Sequence, residues 1–190
     1  MLTVKTGGHR DLERYYSLFE IDYDHSELLP KLSVHRALSR GDQELLLFRD
    51  AESGLVLAYA LVMKRSLYGY VLLKYFGVLP WYRGHGIGLE AMRQMNRRYA
   101  ERQGILAELR GFEDEGHRRR LRRFFARFGY VELPCAYRLG GEAAELMVKP
   151  LQGGAELAPV AHRIVTDFYS RCLGPTALSR MIDVRPAGEE

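Results

Sequence analysis

Val78-Leu79-Pro80-Trp81-Tyr82-Arg83-Gly84-His85-Gly86-Ile87-Gly88 is the stretch on which the fold turns. The run before it, Tyr68 to Leu79, is rich in Tyr, Val, Leu and Phe and reads as a strand ended by Pro80. The run after it, Gly86 to Arg102, carries apolar residues at Ile87, Leu89, Met92, Met95 and Tyr99 and reads as a helix closed by Gly104. A strand, a glycine turn and a helix N-terminus together suit a phosphate. Glycines without Cβ let an anion approach successive backbone N–H groups. The helix end adds unsatisfied donors and the positive end of its dipole. Arg83 brings a formal charge to the same place, so the turn reads as a pyrophosphate cradle.

Upstream of this stretch, Leu2 to Lys5 reads as a short strand and Asp11 to Ile21 as a helix capped by Asp11. Ser26 to Leu38 reads as a second, Ser-capped helix. Glu44 to Arg49 and Leu55 to Lys64 read as a hairpin around Asp50-Ala51-Glu52-Ser53-Gly54. Downstream, Ile105 to Leu109 is a buried-type strand. Glu115 to Phe128 is a basic helix, and Tyr130 to Leu133, Ala136 to Leu139 and Ala144 to Val148 are closing strands. Pro150 to Gly154 reads as a linker and Pro159 to Leu173 as a last amphipathic helix. The expected class is α/β (α+β), a mixed, mostly antiparallel sheet flanked by helices. Residues 1–150 form the domain, and residues 151–190 are a C-terminal helical extension of it.

The chain has 190 residues, one domain's worth, and 47% hydrophobic residues, which excludes a disordered chain. Cys135 and Cys172 cannot build a disulfide scaffold, and the six histidines show no ligand spacing, so no metal is expected. The longest apolar run, Leu55 to Met63, is too short to span a bilayer, and the polar start lacks the core of a signal peptide. A cytoplasmic protein without membrane partners is expected. Of 28 basic residues, 23 are Arg, and 13 of these lie between Arg83 and Arg138. That density raises the question of nucleic acid. On the basic helix, however, Phe124, Phe125 and Phe128 lie on the apolar stripe and not among the charges, so a stacking platform is poorly supported and nucleic acid is disfavoured.

Two other phosphate-binding readings are weighed. A P-loop needs Gly-Lys-Ser/Thr, which is absent. A dinucleotide fold finds an acid, Glu108, 20 residues after Gly88, but Leu89 stands where its third glycine belongs and no second βαβ unit follows. The better match is Arg83-x-x-Gly86-x-Gly88 after Val78, Pro80 and Tyr82, followed by helix, short strand and Phe124-Phe125-Ala126-Arg127-Phe128-Gly129-Tyr130. This resembles the acetyl-CoA signature of the GNAT acetyltransferases in element order over Leu2 to Pro150 and in motif detail over Tyr68 to Tyr130.

The resemblance implies an N-acetyltransferase that moves an acetyl group from acetyl-CoA to a primary amine by direct attack in a ternary complex. It implies that Phe76, Val78 and Leu79 bond the pantetheine arm through their backbone, and that the Val78 N–H faces the thioester carbonyl. Arg83, Gly84, His85, Gly86, Ile87 and Gly88 would bind the pyrophosphate. Relatives often carry an Asn and, seven residues on, a Tyr on the next helix near the CoA; Arg118 and Phe125 stand there as cofactor-binding candidates, with Arg118, Arg119, Arg120, Arg122 and Arg123 placed to meet the ribose phosphate, and Phe125 cannot protonate a leaving thiolate. Tyr130 or Tyr137 is a candidate replacement, the alternative being a thiolate that leaves unaided. Glu108, an acid in an apolar strand, is the leading general base, its alternative role being an ion pair with Arg110 or Arg138.

Seven acids, Glu20, Asp22, Asp24, Glu27, Glu113, Asp114 and Glu115, fall where relatives frame the acceptor, which suggests a cationic small-molecule or peptide amine. The last helix carries an apolar stripe, Val160, Ile164, Val165, Phe168 and Cys172, that docks on its own domain, forms a homodimer interface or covers the acceptor cleft. The alternatives kept are a non-catalytic CoA-binding regulatory module and acetylation of an aminoacyl-tRNA or RNA-linked substrate.

Overall fold

Runs such as Leu45 to Phe48 and Leu57 to Met63 show no polar alternation and bury both of their faces, as strands do when helices cover the sheet on both sides. The computed structural model describes residues 1–110, 115–152 and 157–186. Its strands are β1 (Leu2–Gly7), β2 (Gln43–Asp50), β3 (Val56–Met63), β4 (Tyr70–Val78), β5 (Gly104–Arg110), β6 (Val131–Leu139), β7 (Glu142–Pro150) and β8 (Ile182–Pro186). Its helices are α1 (His9–Asp22), α2 (Lys31–Arg40), α3 (Ile87–Arg98), α4 (Glu115–Ala126), α5 (Ala161–Ser170) and α6 (Pro175–Met181). The strands form one sheet in the order β1-β2-β3-β4-β5-β7-β6-β8, antiparallel throughout except for β4 with β5. The mixed α/β class is the one expected. No helix among the described residues is long and apolar enough to cross a membrane.

Alternate residues of the central strands feed two cores. Leu45, Leu47, Tyr59, Leu61, Leu72 and Leu106 pack with α1, α2 and α5 on one face. Leu46, Phe48, Ala58, Ala60, Val71, Ile105 and Ala107 pack with α3 and α4 on the other. The stripe on α5 docks on the first core, with Ile164, Val165 and Phe168 almost wholly buried.

Four sequence expectations are corrected. α1 begins earlier than expected: Gly8 is its cap, and Asp11 sits in the first turn, accepting the Gly8 N–H at 3.0 Å. The expected Ser26–Leu38 helix is broken at Pro30, since a proline disfavours the helical conformation in the residue before it, and a 3-10 turn, His25–Glu27, stands before α2 with Leu28 extended. That turn is capped by Asp24, whose carboxylate accepts the Ser26 N–H at 2.9 Å, while Glu27 returns the favour by accepting the Asp24 N–H at 3.1 Å. The two strands expected around Pro134 are one strand, β6, whose register with β7 shifts between Leu133 and Tyr137, where a proline lacks the N–H for a ladder. The C-terminal extension is not only helical, since β8 pairs with β6 from Cys135↔Pro186 to Leu139↔Ile182.

The positioning feature is the parting of β4 from β5. They pair from Tyr70↔Gly104 to Leu73↔Ala107 and then separate, while β5 continues beside β7 through Arg110↔Ala144. On the other edge of β4 the register with β3 shifts between Leu61 and Val62, so that Lys74 is the inserted residue of a bulge.

Candidate active site

Where β4 and β5 part, a cavity of about 550 Å³ opens. One side is walled by Asp22, Tyr23 and Glu27, the other by Leu121, Phe124 and Phe125 of α4, with Gly88 near the mouth. The vertex holds Lys74 and Glu108.

The glycine turn forms as its sequence requires. Gly84 and Gly86 have φ of 82° and 75°, a left-handed conformation that L side chains resist. A Cβ at either would meet nothing within 4 Å, so the turn is open, with room for an anion at the start of the twelve-residue α3. Gly88 differs, since a Cβ there would lie 3.4 Å from Val78 and 3.6 Å from Phe124, in ordinary contact. Arg83, 53% exposed in its side chain, donates from Nε to the Val78 carbonyl at 2.9 Å and from Nη2 to Asp22 at 2.8 Å. His85 bonds the Arg83 carbonyl through Nδ1 at 2.9 Å, Ile87 opens α3, and Leu79 donates its N–H back to Leu57 on β3. Arg83 and Gly88, the two ends of the turn, line the cavity, and the four residues between them are not part of its lining. The donors and the open space fit a pyrophosphate.

At Phe76 the expected backbone contacts are already engaged. The Tyr23 hydroxyl accepts the Phe76 N–H at 2.7 Å and donates to its carbonyl at 3.0 Å. Burial pushes this hydroxyl well above the ordinary tyrosine range, so it stays neutral and can serve both bonds. The Phe76 ring stacks on Phe124 at 6.0 Å. Val78 lines the cavity with its carbonyl held by Arg83.

Glu108 needs a partner, and its partner is Lys74, not Arg110 or Arg138. Lys74 Nζ lies 3.1 Å from Glu108 Oε2, with the two side chains 1% and 2% exposed. Tyr137 donates to Oε1 at 2.5 Å, and Tyr169 lies 2.8 and 2.9 Å from the two oxygens. Lys74 also sits 5.3 Å from the ring centres of Tyr75 and Tyr169. Both oxygens of Glu108 therefore accept bonds from two tyrosines and an ammonium, which makes the buried charges tolerable. Tyr137 meets Glu108 and Tyr169 at the vertex, and burial raises its hydroxyl far above the ordinary range. Tyr130 lies in the opposite core, its ring 5.1 Å from Phe125 and its hydroxyl bonded to Asn96 at 3.4 Å. It is therefore not brought to Glu108.

Arg118 is committed elsewhere too. It pairs with Glu145 of β7 and with Glu115, and Arg122 joins it at Glu145. Arg119 and Arg123 are exposed along α4, and Arg127 is exposed just after it. Phe125 lines the cavity without a hydroxyl to offer. Of the seven acids, Glu20 is exposed, Glu113 and Asp114 lie outside the described residues, and Glu115 pairs with Arg118. Asp22 accepts from Tyr59 at 2.7 Å as well as from Arg83. Tyr59 reaches it beside Gly77, where a Cβ would lie 2.5 Å from the tyrosine ring. Asp24 and Glu27 flank Arg110 Nη1 at 3.3 and 3.8 Å.

Sequence reasoning missed Tyr23, Lys74 and Tyr169. Lys74 carried a readable signal as the lone charge within Tyr70–Val78. Tyr23 and Tyr169 carried none, since their partners lie 53 and 61 residues away.

Among the described residues no group of three His, Cys, Asp or Glu side chains could hold a metal ion. No curated protein sequence matches the chain. The fold is shared with solved structures of low identity. The spermidine/spermine N-acetyltransferase SpeG of Vibrio cholerae superposes with a TM-score of 0.60 at 11% identity, over 80% of this chain and 95% of that one. NAA60 of Arabidopsis thaliana, solved with acetyl-CoA, gives 0.61 at 14%, over 80% and 100%. The ribosomal-protein-S18-alanine N-acetyltransferase of Escherichia coli gives 0.60 at 16%, over 82% and 97%. The profile of the acetyltransferase (GNAT) family matches residues 11–130, a span that runs from α1 through the glycine turn to the end of the α4 region. With the β4–β5 cleft and the Arg83–Gly88 turn in register with that span, the chain belongs to the GNAT acetyltransferase family.

Proposed function

We propose that the protein transfers an acetyl group from acetyl-CoA to a primary amine by direct attack, both substrates meeting in the cleft between β4 and β5. The observation that carries this reading is the continuity of the cleft from the open glycine turn to the polar vertex. Acetyl-CoA supplies an activated acetyl thioester. The Gly84–Gly88 backbone and the start of α3 bind its pyrophosphate. The Val78 N–H, on the cleft edge of β4, is the donor for a developing oxyanion. Exposed Arg119, Arg123 and Arg127 supply further charge for phosphate on the α4 side.

An ammonium has no lone pair, so an acid on the cavity wall must take a proton before attack. Glu27 fits this role. Its carboxyl is raised above 4.5 chiefly by burial, and it lines the cavity. Glu108, held by three donors, instead positions Lys74, Tyr137 and Tyr169 at the vertex. Phe125 offers no acid, so the thiolate leaves without one from that position, which its ordinary thiol range permits.

The test is thiol release from acetyl-CoA in the presence of single amines, with the acetylated product identified by mass. Turnover that depends on both substrates is expected. Binding of acetyl-CoA with no turnover on any amine would return the regulatory-module reading. A salt-sensitive preference for RNA-linked amines would instead favour that acceptor class.

A further inference from the structure

The charged side chains on the cavity wall come as couples of opposite sign: Asp22 with Arg83 at 2.8 Å, Glu108 with Lys74 at 3.1 Å, and Glu27 with Arg110 at 3.8 Å. The first two are closed. Asp22 is also bonded by Tyr59, and Glu108 by two tyrosines. The third is open. The closest approaches of Arg110 to these acids are 3.3 Å to Asp24 and 3.8 Å to Glu27. Arg110 lines the cavity, and its guanidinium carries five N–H donors in a fork that suits a carboxylate.

The three acids and three bases that line this wall balance, so the lining itself holds no surplus of acid for a polycation. What it offers is a negative and a positive group side by side. We propose that the acceptor is a free α-amino acid, its ammonium received by Glu27 and its carboxylate by the Arg110 fork.

This rests on the acetyl-transfer reading above. In an α-amino acid the nitrogen and the carboxyl carbon lie about 2.5 Å apart, from two bonds of about 1.5 Å at a tetrahedral carbon. Neighbouring charges of that spacing meet a wall couple whose facing atoms are 3.8 Å apart. A peptide N-terminus would present an amide where the carboxylate belongs, and a polyamine would present a second cation to Arg110. In the reaction, Glu27 takes one proton from the ammonium. The freed nitrogen forms the amide C–N bond as the thioester C–S bond breaks, and the nitrogen's second proton neutralises the departing thiolate. No oxidant or further reactant is needed.

The experiment compares kcat/KM for free amino acids, their carboxamides and spermidine, and measures calorimetric binding of the same compounds to the protein saturated with CoA. At least one amino acid is expected to exceed its own carboxamide by about tenfold or more. Arg110→Gln should bring that ratio close to one, and Arg110→Lys should keep part of it. Equal rates for acid and amide, or a preference for spermidine, would overturn the inference. If nothing turns over, binding decides: an amino acid bound in preference to its amide leaves the inference standing and sinks acetyl transfer, while no such preference sinks the inference. Should Arg110→Gln fail to fold, the acid-to-amide ratio of the unaltered protein decides alone.

Discussion

The two sides of the cleft are built from different materials. The glycine-turn side uses backbone: Gly84 and Gly86 in left-handed conformations, the edge of β4 that has parted from β5, and the start of α3. The vertex and the α1 side use side chains drawn from across the chain, with Lys74, Glu108, Tyr137 and Tyr169 in one network and Tyr59, Asp22 and Arg83 in another. A backbone site is written in adjacent residues and depends on few neighbours. A side-chain site is assembled by the fold and depends on every member. Damage should therefore spread on one side and stay local on the other.

The largest expected effect breaks the network at the vertex. Lys74→Ala leaves the Glu108 carboxylate buried with no ammonium and should cost about 3–5 kcal/mol of stability, read from denaturant unfolding. Removing Glu108 as well should cost less than the sum of the two single losses, because the charges depend on each other. Next, Glu27→Gln should lower kcat/KM about 100-fold. It should also abolish a rise of kcat/KM with pH whose midpoint lies above the ordinary 4.5, since burial holds the proton on Glu27. The sign for stability is opposite: a raised carboxyl favours the folded state at low pH, and that advantage is lost as pH climbs through its folded value. A flat pH profile in the unaltered enzyme would remove Glu27 from the mechanism.

Gly77→Ala should follow, at about 1–3 kcal/mol, because its Cβ would sit 2.5 Å from the Tyr59 ring and must push that ring off Asp22. The accompanying signature is a loss of acceptor affinity with acetyl-CoA affinity little changed. The smallest effect, Gly86→Ala, should cost about 1 kcal/mol of stability through its left-handed φ. It should raise the KM for acetyl-CoA more than that for the amine. If Gly86→Ala changed both alike, the division between a backbone side and a side-chain side would fail.

The same division explains what could be read from the sequence. The Arg83–Gly88 turn, the strand before it and the helix after it were legible because their determinants are contiguous. Glu108 was legible as an acid in need of a partner, but the partner was not, because a bulge on one edge of β4 and the parting from β5 on the other bring Lys74 to it. The ring of Tyr130 looked as available as that of Tyr137, yet they enter opposite cores. The break at Pro30 was written in the sequence and outweighed by the apolar spacing around it. β8 left no sign, since Asp183 and Arg185 interrupt a strand only five residues long.

The hydroxyl that bridges Phe76 bears on how tightly anything can be held here. An amide that took over the Phe76 N–H and carbonyl would release the Tyr23 hydroxyl as it did so, so the count of hydrogen bonds would barely change. Binding along this edge is a swap, not a gain. The favourable balance must come from the far end, where the glycine turn has donors and open space but no tyrosine standing in for a ligand. A thioester stripped of its nucleotide half would be left to pay the whole cost of that swap.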